Sequence, residues 1–274
     1  MQILKYWFVI ETSIISKKAA EQLDALVLDV KTGLGASLKT EHASRELARR
    51  MVNVGKSLGV KTVAFLTDMN SPLGMAIGNS LEIIESLGAL HGEGFPDLID
   101  LVIQLGAQLL MDCGSARDKN EATSRLAEVL KNGSAAEKFC AMMKRQKVDP
   151  TLADMLCSKG SNIRKLLPRS KFKTDLQSYK SGYITRIDAM NCALVSRKLG
   201  AGRAKTDDKI NFGVGLEVLF SVGQMIVEGD SWIRVHHDEE VLNPVLIQLL
   251  MDGFSVDSSP LSDLRASRVI DIII

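Results

Sequence analysis

The sequence predicts an α/β protein: a sheet built from parallel βαβ units covered by helices, followed by a small C-terminal α+β domain rich in β-structure. Three observations carry that prediction. Two nearly continuous apolar runs, residues 25–31 and 61–67, read as strands buried on both faces. The amphipathic stretch from about Thr40 to Leu58 joins them, and a helix of that length between two strands makes a crossover with parallel partners. Beyond about residue 174 the texture changes to short β-prone pieces parted by Gly or Asp, the pattern of antiparallel structure.

The elements follow in order. A helix is predicted from about Thr12 to Leu23, with Ile15, Ala19 and Leu23 as its apolar stripe and Ser13 and Lys17 one turn apart on another face. The first strand ends in the turn Gly33-Leu-Gly35. The next helix presents Leu47, Met51, Val54 and Leu58, and Gly59 is its C′ residue. After the second strand, the loop Asp68–Pro72 leads into a helix carrying Ile77, Leu81 and Ile84. Another begins with Asp97 as N-cap and buries Leu98, Leu101, Val102, Leu105 and Leu109. Helices from Asn120 to Lys131 and from Ala135 to Lys144 are broken apart at Asn132-Gly133. Pro150, Gly160, Ser161 and Pro168 interrupt every period over residues 148–173, which reads as a linker. The β-prone pieces are residues 182–187, 209–212, 216–220, 225–227 and 232–235, with one helix from Met190 to Leu199. The domains are then 1–22, 23–147 and, past the linker, 174–274.

Composition removes several classes of function. The chain has 274 residues, 46% hydrophobic and 24% charged, enough to bury a core rather than remain disordered. Lys+Arg 34 against Asp+Glu 33 gives a formal net charge of +1, so no overall field holds a nucleic acid or an anionic membrane. Cys113, Cys140, Cys157 and Cys192 form no CxxC pair, which removes zinc ribbons and thioredoxin motifs, and such sparse thiols suit free cysteines in a reducing compartment. No apolar run approaches the roughly 20 residues that cross a bilayer, and the opening patch lacks the form of a signal peptide. Cytoplasm is the expected location.

Candidate sites compete with plainer readings. Gly33-Leu-Gly35 follows a buried strand, but it lacks the third glycine of a dinucleotide fingerprint and the GK[ST] of a P-loop, so a simple turn is favoured. His236 and His237 point to opposite faces of a strand and cannot chelate one ion together; a solvated strand end is expected. His42 and His91 are isolated, suited to surface or capping roles. The segment 221–230 resembles a carrier-domain hairpin without its modified lysine and reads as structural. Ser13 and Lys17 could present a hydroxyl and an ammonium to one ligand, although exposed lysine is the commoner outcome from residues alone.

The order of several motifs is similar to that of the pyrimidine-nucleoside phosphorylase family, thymidine phosphorylases included. They are Thr12-Ser-Ile-Ile-Ser-Lys-Lys18, Asp24-Ala-Leu-Val-Leu-Asp-Val-Lys31, Gly33-Leu-Gly-Ala36, Leu66-Thr-Asp-Met-Asn70, Leu73-Gly74 and Gly78-Asn-Ser-Leu-Glu82. The distal half resembles the animal members through Val148-Asp-Pro150, Leu166-Leu-Pro-Arg169, Leu199-Gly-Ala-Gly-Arg203, Val222-Gly-Gln224 and Trp232-Ile-Arg-Val-His236. The resemblance implies that phosphate attacks the anomeric carbon of a pyrimidine nucleoside, releasing base and a pentose 1-phosphate. It places Lys17 as the catalytic donor to the departing base, where charge accumulates in the transition state, and Ser13 with Lys17 as substrate-binding residues. It also implies a potassium ion at Leu73, Ala76 and Glu85, with inorganic phosphate as co-substrate and no other cofactor. A homodimer is implied for full-length members, and residues 1–22 become a remnant of the helical domain holding the base-binding helix.

The family's phosphate loop and its base-gripping arginine have no counterpart upstream of Ser13. The expectation is therefore a distal part of the enzyme with a foreign start, weakly active or inactive alone. The alternative is a non-catalytic binding or dimerisation protein derived from the family. An anthranilate-phosphoribosyltransferase-like enzyme is a third reading, which the distal β-rich domain disfavours.

Overall fold

The computed structural model describes residues 17, 18, 20–203 and 205–274. The chain divides into two compact units, one comprising residues 1–69, 100–127 and 266–274 and the other residues 70–99 and 128–265.

In the first unit β1 (Ala25–Thr32) and β2 (Lys61–Asp68) pair in parallel without a break, from Ala25 opposite Lys61 to Thr32 opposite Asp68. The connecting helix α1 (Glu41–Ser57) is capped by Thr40, whose side chain accepts the Ala43 N–H, and Gly59 follows it at φ 75° as a left-handed stop. The buried stripe of α1 is Ser44, Leu47, Ala48, Met51, Val52 and Gly55. Val54 and Leu58, expected on that stripe, are exposed, because the narrower face built around Ala48 and Gly55 is the one that lies against the sheet. Gly55 lets α1 come so close to β2 that a Cβ there would stand 2.0 Å from Thr62 Oγ1. Leu47, Met51 and Val52 close the core over Val30, Ala64 and Leu66.

A strand that the periodicity missed, β10 (Val269–Ile273), adds antiparallel to β2, so the sheet order is β1-β2-β10 and β2 is central. Residues 266–274 thus pack with the first unit instead of the C-terminal domain in which they were expected. They are apolar enough, with Ile270 and Ile273 packed against the α1 core, to prefer that buried edge.

The long helices are α3 (Pro96–Asp112) and α4 (Lys119–Lys131). Pro96 takes the first helical position, which its fixed φ suits, so Asp97 lies inside the first turn and is not the N-cap. Only Leu101 and Ala107 of α3 are buried, while Val102 and Leu109 are exposed: α3 and α4 meet through Ala107 and Ala122, small enough that the leucine ridge beside them is not covered.

In the second unit one sheet has the order β3-β6-β8-β4, formed by β3 (Ala76–Ile77), β4 (Phe172–Gln177), β6 (Gly215–Val218) and β8 (Ser231–His237), all antiparallel. A second has the order β7-β5-β9, formed by β5 (Gly182–Ile187), β7 (Met225–Ile226) and β9 (Phe254–Asp257). Ile77, expected in a helix, sits in β3, and α2 (Asn79–Leu90) begins just after it. Residues 209–212 form no strand. The core gathers Ile184, Leu216, Ile226, Ile233, Leu250 and Trp232, the last stacked on Phe254 at 4.2 Å between ring centres. Burying rings of this size contributes most per residue to such a core.

Residues 148–173 are not an open linker. Asp149 caps α6 (Pro150–Cys157), α7 (Ile163–Leu166) follows, and β4 begins at Phe172. Pro150 occupies the first turn of a helix, where its missing N–H has no intrahelical partner to lose. Helix α5 (Ser134–Arg145) precedes this pair and starts at Gly133, which is left-handed at φ 85°. The unit is completed by α8 (Ala189–Ser196), a π turn over Arg197–Ala201, and α9 (Pro244–Asp252).

Candidate functional site

Lys17 is helical and exposed, and among the described residues no carboxylate pairs with its ammonium. The neighbouring Lys18 is held by Glu21 at 3.2 Å. Ser13, predicted to share a ligand with Lys17, lies outside the described residues.

The Gly33-Leu-Gly35 turn is a structural turn. Its N–H groups, which a phosphate would need, are spent: Gly33 donates to Leu38 O, Gly35 to Met69 O and Ala36 to Gly33 O. Lys39 closes it by donating to the carbonyls of Leu34 at 2.6 Å and Ala36 at 2.7 Å. Beside the turn, at the carboxyl ends of β1 and β2, Thr67 Oγ1 bonds Asp29 and Lys31 Nζ stands 2.5 Å from the same carboxylate. The Thr32 hydroxyl there is buried with no partner among the described residues. Carboxyl ends of parallel strands are where open α/β sheets place ligands.

Of the residues expected to hold potassium, Ala76 and Glu85 meet, with Gly74 and Met75 between them in the contact. The Glu85 carboxylate accepts the Met75 N–H at 2.6 Å, and Gly74, at φ 66°, lies so close that a Cβ would stand 2.5 Å from Glu85 Oε2. Met75 O accepts the Val218 N–H across to β6. Glu85 accepts from the Ala76 N–H as well. Burial pushes the Glu85 carboxyl up; the Met75 and Ala76 hydrogen bonds pull it down, and the carboxylates of Asp97 and Glu82 raise it again. Asp97 itself accepts the Gly74 N–H at 3.3 Å. A hard cation takes oxygen ligands, and those near here are the carboxylates of Glu85, Asp97 and Glu82; the backbone groups shown bonding Glu85 are N–H donors, and among the described residues no three His, Cys, Asp or Glu side chains are arranged to hold a metal ion. Sequence reasoning could not see Asp97 here, since it comes from a separate helix.

His236 and His237 are both buried, contrary to the expected solvated strand end, because β8 lies inside its sheet between β6 and β4. They do face opposite ways, each with partners of its own. His237 Nδ1 donates to Glu239 O and its Nε2 accepts from Thr174 Oγ1, both at 2.8 Å. His236 Nε2 stands 2.6 Å from Glu217 Oε2, and its Nδ1 is 3.4 Å from Ser170 Oγ. Arg164 reaches the second Glu217 oxygen at 2.5 Å. The His236 bond outweighs burial, and with Arg164 it holds the Glu217 carboxyl well below the usual range, at about 2. Ser170 Oγ donates to Phe172 O, so its proton is not offered to His236 and the group is a structural strap.

The comparisons with known proteins find family models for both parts of the chain. The model of the glycosyl transferase family a/b domain matches residues 10–136, and that of the pyrimidine nucleoside phosphorylase C-terminal domain matches residues 183–256. Among curated proteins, thymidine phosphorylase of Mus musculus is 43% identical over 86% of this chain and 50% of its own length. The Homo sapiens enzyme is 42% identical over 86% and 49%. Pyrimidine-nucleoside phosphorylase of Bacillus subtilis is 38% identical over 88% and 54%. The chain belongs to the pyrimidine-nucleoside phosphorylase family and spans about half the length of the curated relatives it matches. Among the described residues, no helix is long and apolar enough to cross a membrane.

Proposed function

We propose that the chain serves pyrimidine-nucleoside phosphorolysis, the pentosyl transfer in which inorganic phosphate displaces a pyrimidine base and leaves a pentose 1-phosphate. The observation that carries this reading is the likeness to thymidine phosphorylases, running through both matched domains at 43% identity. Lys17 supplies the donor that the chemistry requires. As the glycosidic bond breaks, negative charge develops on the pyrimidine oxygens, and an ammonium that no carboxylate among the described residues pairs with strengthens its bond to them in step with that charge. Ser13 orients the ring by hydrogen bonding.

Leu73 and Ala76 through their carbonyls, with the Glu85 carboxylate, hold a potassium ion in this proposal. The ion neutralises the confined carboxylates and steadies the loop between β2 and α2; no chemical step passes through it. The protein works in the cytoplasm and pairs as a homodimer in its full-length form.

The test is thymine release from thymidine, with and without phosphate, measured beside the mouse relative. Phosphate-dependent thymine release supports the reading. Thymine binding that Lys17→Ala leaves unchanged contradicts the reading itself.

A further inference from the structure

Helices α5 and α6 pack as a hairpin through small side chains. Ala136 and Cys140, one turn apart, form the buried face of α5, and Ala153 and Leu156 that of α6. The Cys140 thiol donates to Asp154 Oδ1 at 3.4 Å, an acceptor that Lys144 Nζ also reaches at 2.5 Å. Cys157 lies three residues beyond Asp154, on the same face of α6. The contact that brings Asp154 to Cys140 therefore brings Cys157 to the same side of the helix pair, and both cysteines border one cavity. That cavity is about 650 Å³, and its other walls include Lys131, Lys144 and Lys159 and the carboxylates of Glu137 and Asp154. The remaining cysteines lack this arrangement: Cys113 is exposed and Cys192 is sealed in the core.

We propose that Cys140 and Cys157 are a redox modification site, a dithiol that a small disulfide entering this cavity oxidises to an intramolecular disulfide joining α5 and α6. The Cys140 sulfur, beside the Lys144 ammonium, attacks one sulfur of the disulfide RSSR. The S–S bond breaks, RS⁻ leaves, and a mixed Cys140–SR bond forms. Cys157 then attacks the Cys140 sulfur and expels the second RS⁻. Two protein thiols are oxidised, one RSSR is reduced, and the two thiol protons end on two RSH. Burial, with the Cys140 sulfur next to it, pushes the Cys157 thiol up to about 11, so Cys157 keeps its proton in the first step and acts as the resolving thiol. The cross-link ties the cavity shut at one wall. It stands apart from the nucleoside reading and needs none of its residues.

Oxidised glutathione is the probe. The chain carrying Cys113→Ser, to remove the exposed thiol, is incubated with it and digested without reduction, and the peptides are mapped by mass. The expected result is a 140–157 cross-linked peptide, a fall of two titratable thiols per chain, and full reversal by dithiothreitol. A stable glutathione adduct on Cys140 or Cys157, or two unreacted thiols after treatment that oxidises a control dithiol peptide, overturns the proposal. Cys157→Ser should trap the adduct on Cys140. Should that variant fail to fold, the peptide map of the parent chain decides alone.

Discussion

Replacing Glu217 by Gln removes one charge from the Arg164–Glu217–His236 group, in which His236 is buried, Glu217 partly buried and Arg164 half exposed, and leaves its shape. The carboxyl is held at about 2 in the folded chain, against roughly 4.3 in an unfolded one. At about 1.4 kcal/mol per pH unit of difference, the interaction is worth roughly 3 kcal/mol at neutral pH. The sign is that of a depressed acid: the stabilisation is present above the unfolded value and is lost as pH falls through the folded one. The window therefore runs from about pH 5 down to about pH 2, and by pH 3 roughly half remains. Urea unfolding of the chain and of Glu217→Gln at pH 7 and pH 3.5 measures it. The variant should be less stable by roughly 2–3 kcal/mol at pH 7 and the gap should shrink at pH 3.5. Equal stabilities at pH 7, or a gap that does not narrow in acid, would refute the assignment of Glu217 as an ionised strut.

Asp175 offers the contrast: Arg234 meets it with two bonds of 2.7 and 2.9 Å, but in partial exposure, so Asp175→Asn should cost less than about 1 kcal/mol by the same assay. Gly55→Ala should cost about 2 kcal/mol or more, because the new methyl meets Thr62 Oγ1 at 2.0 Å and overpacking strains the α1–β2 contact; a neutral outcome would contradict that contact. Potassium chloride should raise the melting temperature above tetramethylammonium chloride at equal ionic strength. Glu85 is raised, so it costs the fold nothing while protonated, below its unfolded pKa, and the ionised carboxylate costs stability in full once pH has risen through the folded value. The potassium increment should therefore be larger at pH 8 than at pH 4.5 and absent in Glu85→Gln, and a shift blind to both would argue against an ion there.

The parallel pair was readable because β2 is buried on both faces and its sequence shows a continuous apolar run, while Thr40 and Gly59 punctuate α1 as capping chemistry demands. What escaped was decided by distant partners. Val269–Ile273 looks like any apolar tail until β2 offers it an edge, and Ile77 follows helical spacing yet pairs with Leu216 of β6. The two histidines were given the right faces from strand alternation and the wrong environment, because sequence does not say that β8 is an interior strand. At the candidate site the same division holds. Lys17 and the Leu73–Glu85 set came from motif resemblance, whereas Asp97 beside Gly74, and Asp154 between Cys140 and Lys144, exist only once helices far apart in sequence have packed.

The central claim is that the Lys17 helix takes a pyrimidine base. Titration calorimetry of thymine into the chain, and into the Lys17→Ala chain with an unchanged melting temperature, tests it most directly. The account predicts saturable binding by the parent chain and at least roughly tenfold weaker binding by the variant, about 1.4 kcal/mol. Equal affinities, or no binding to the parent chain, would contradict it.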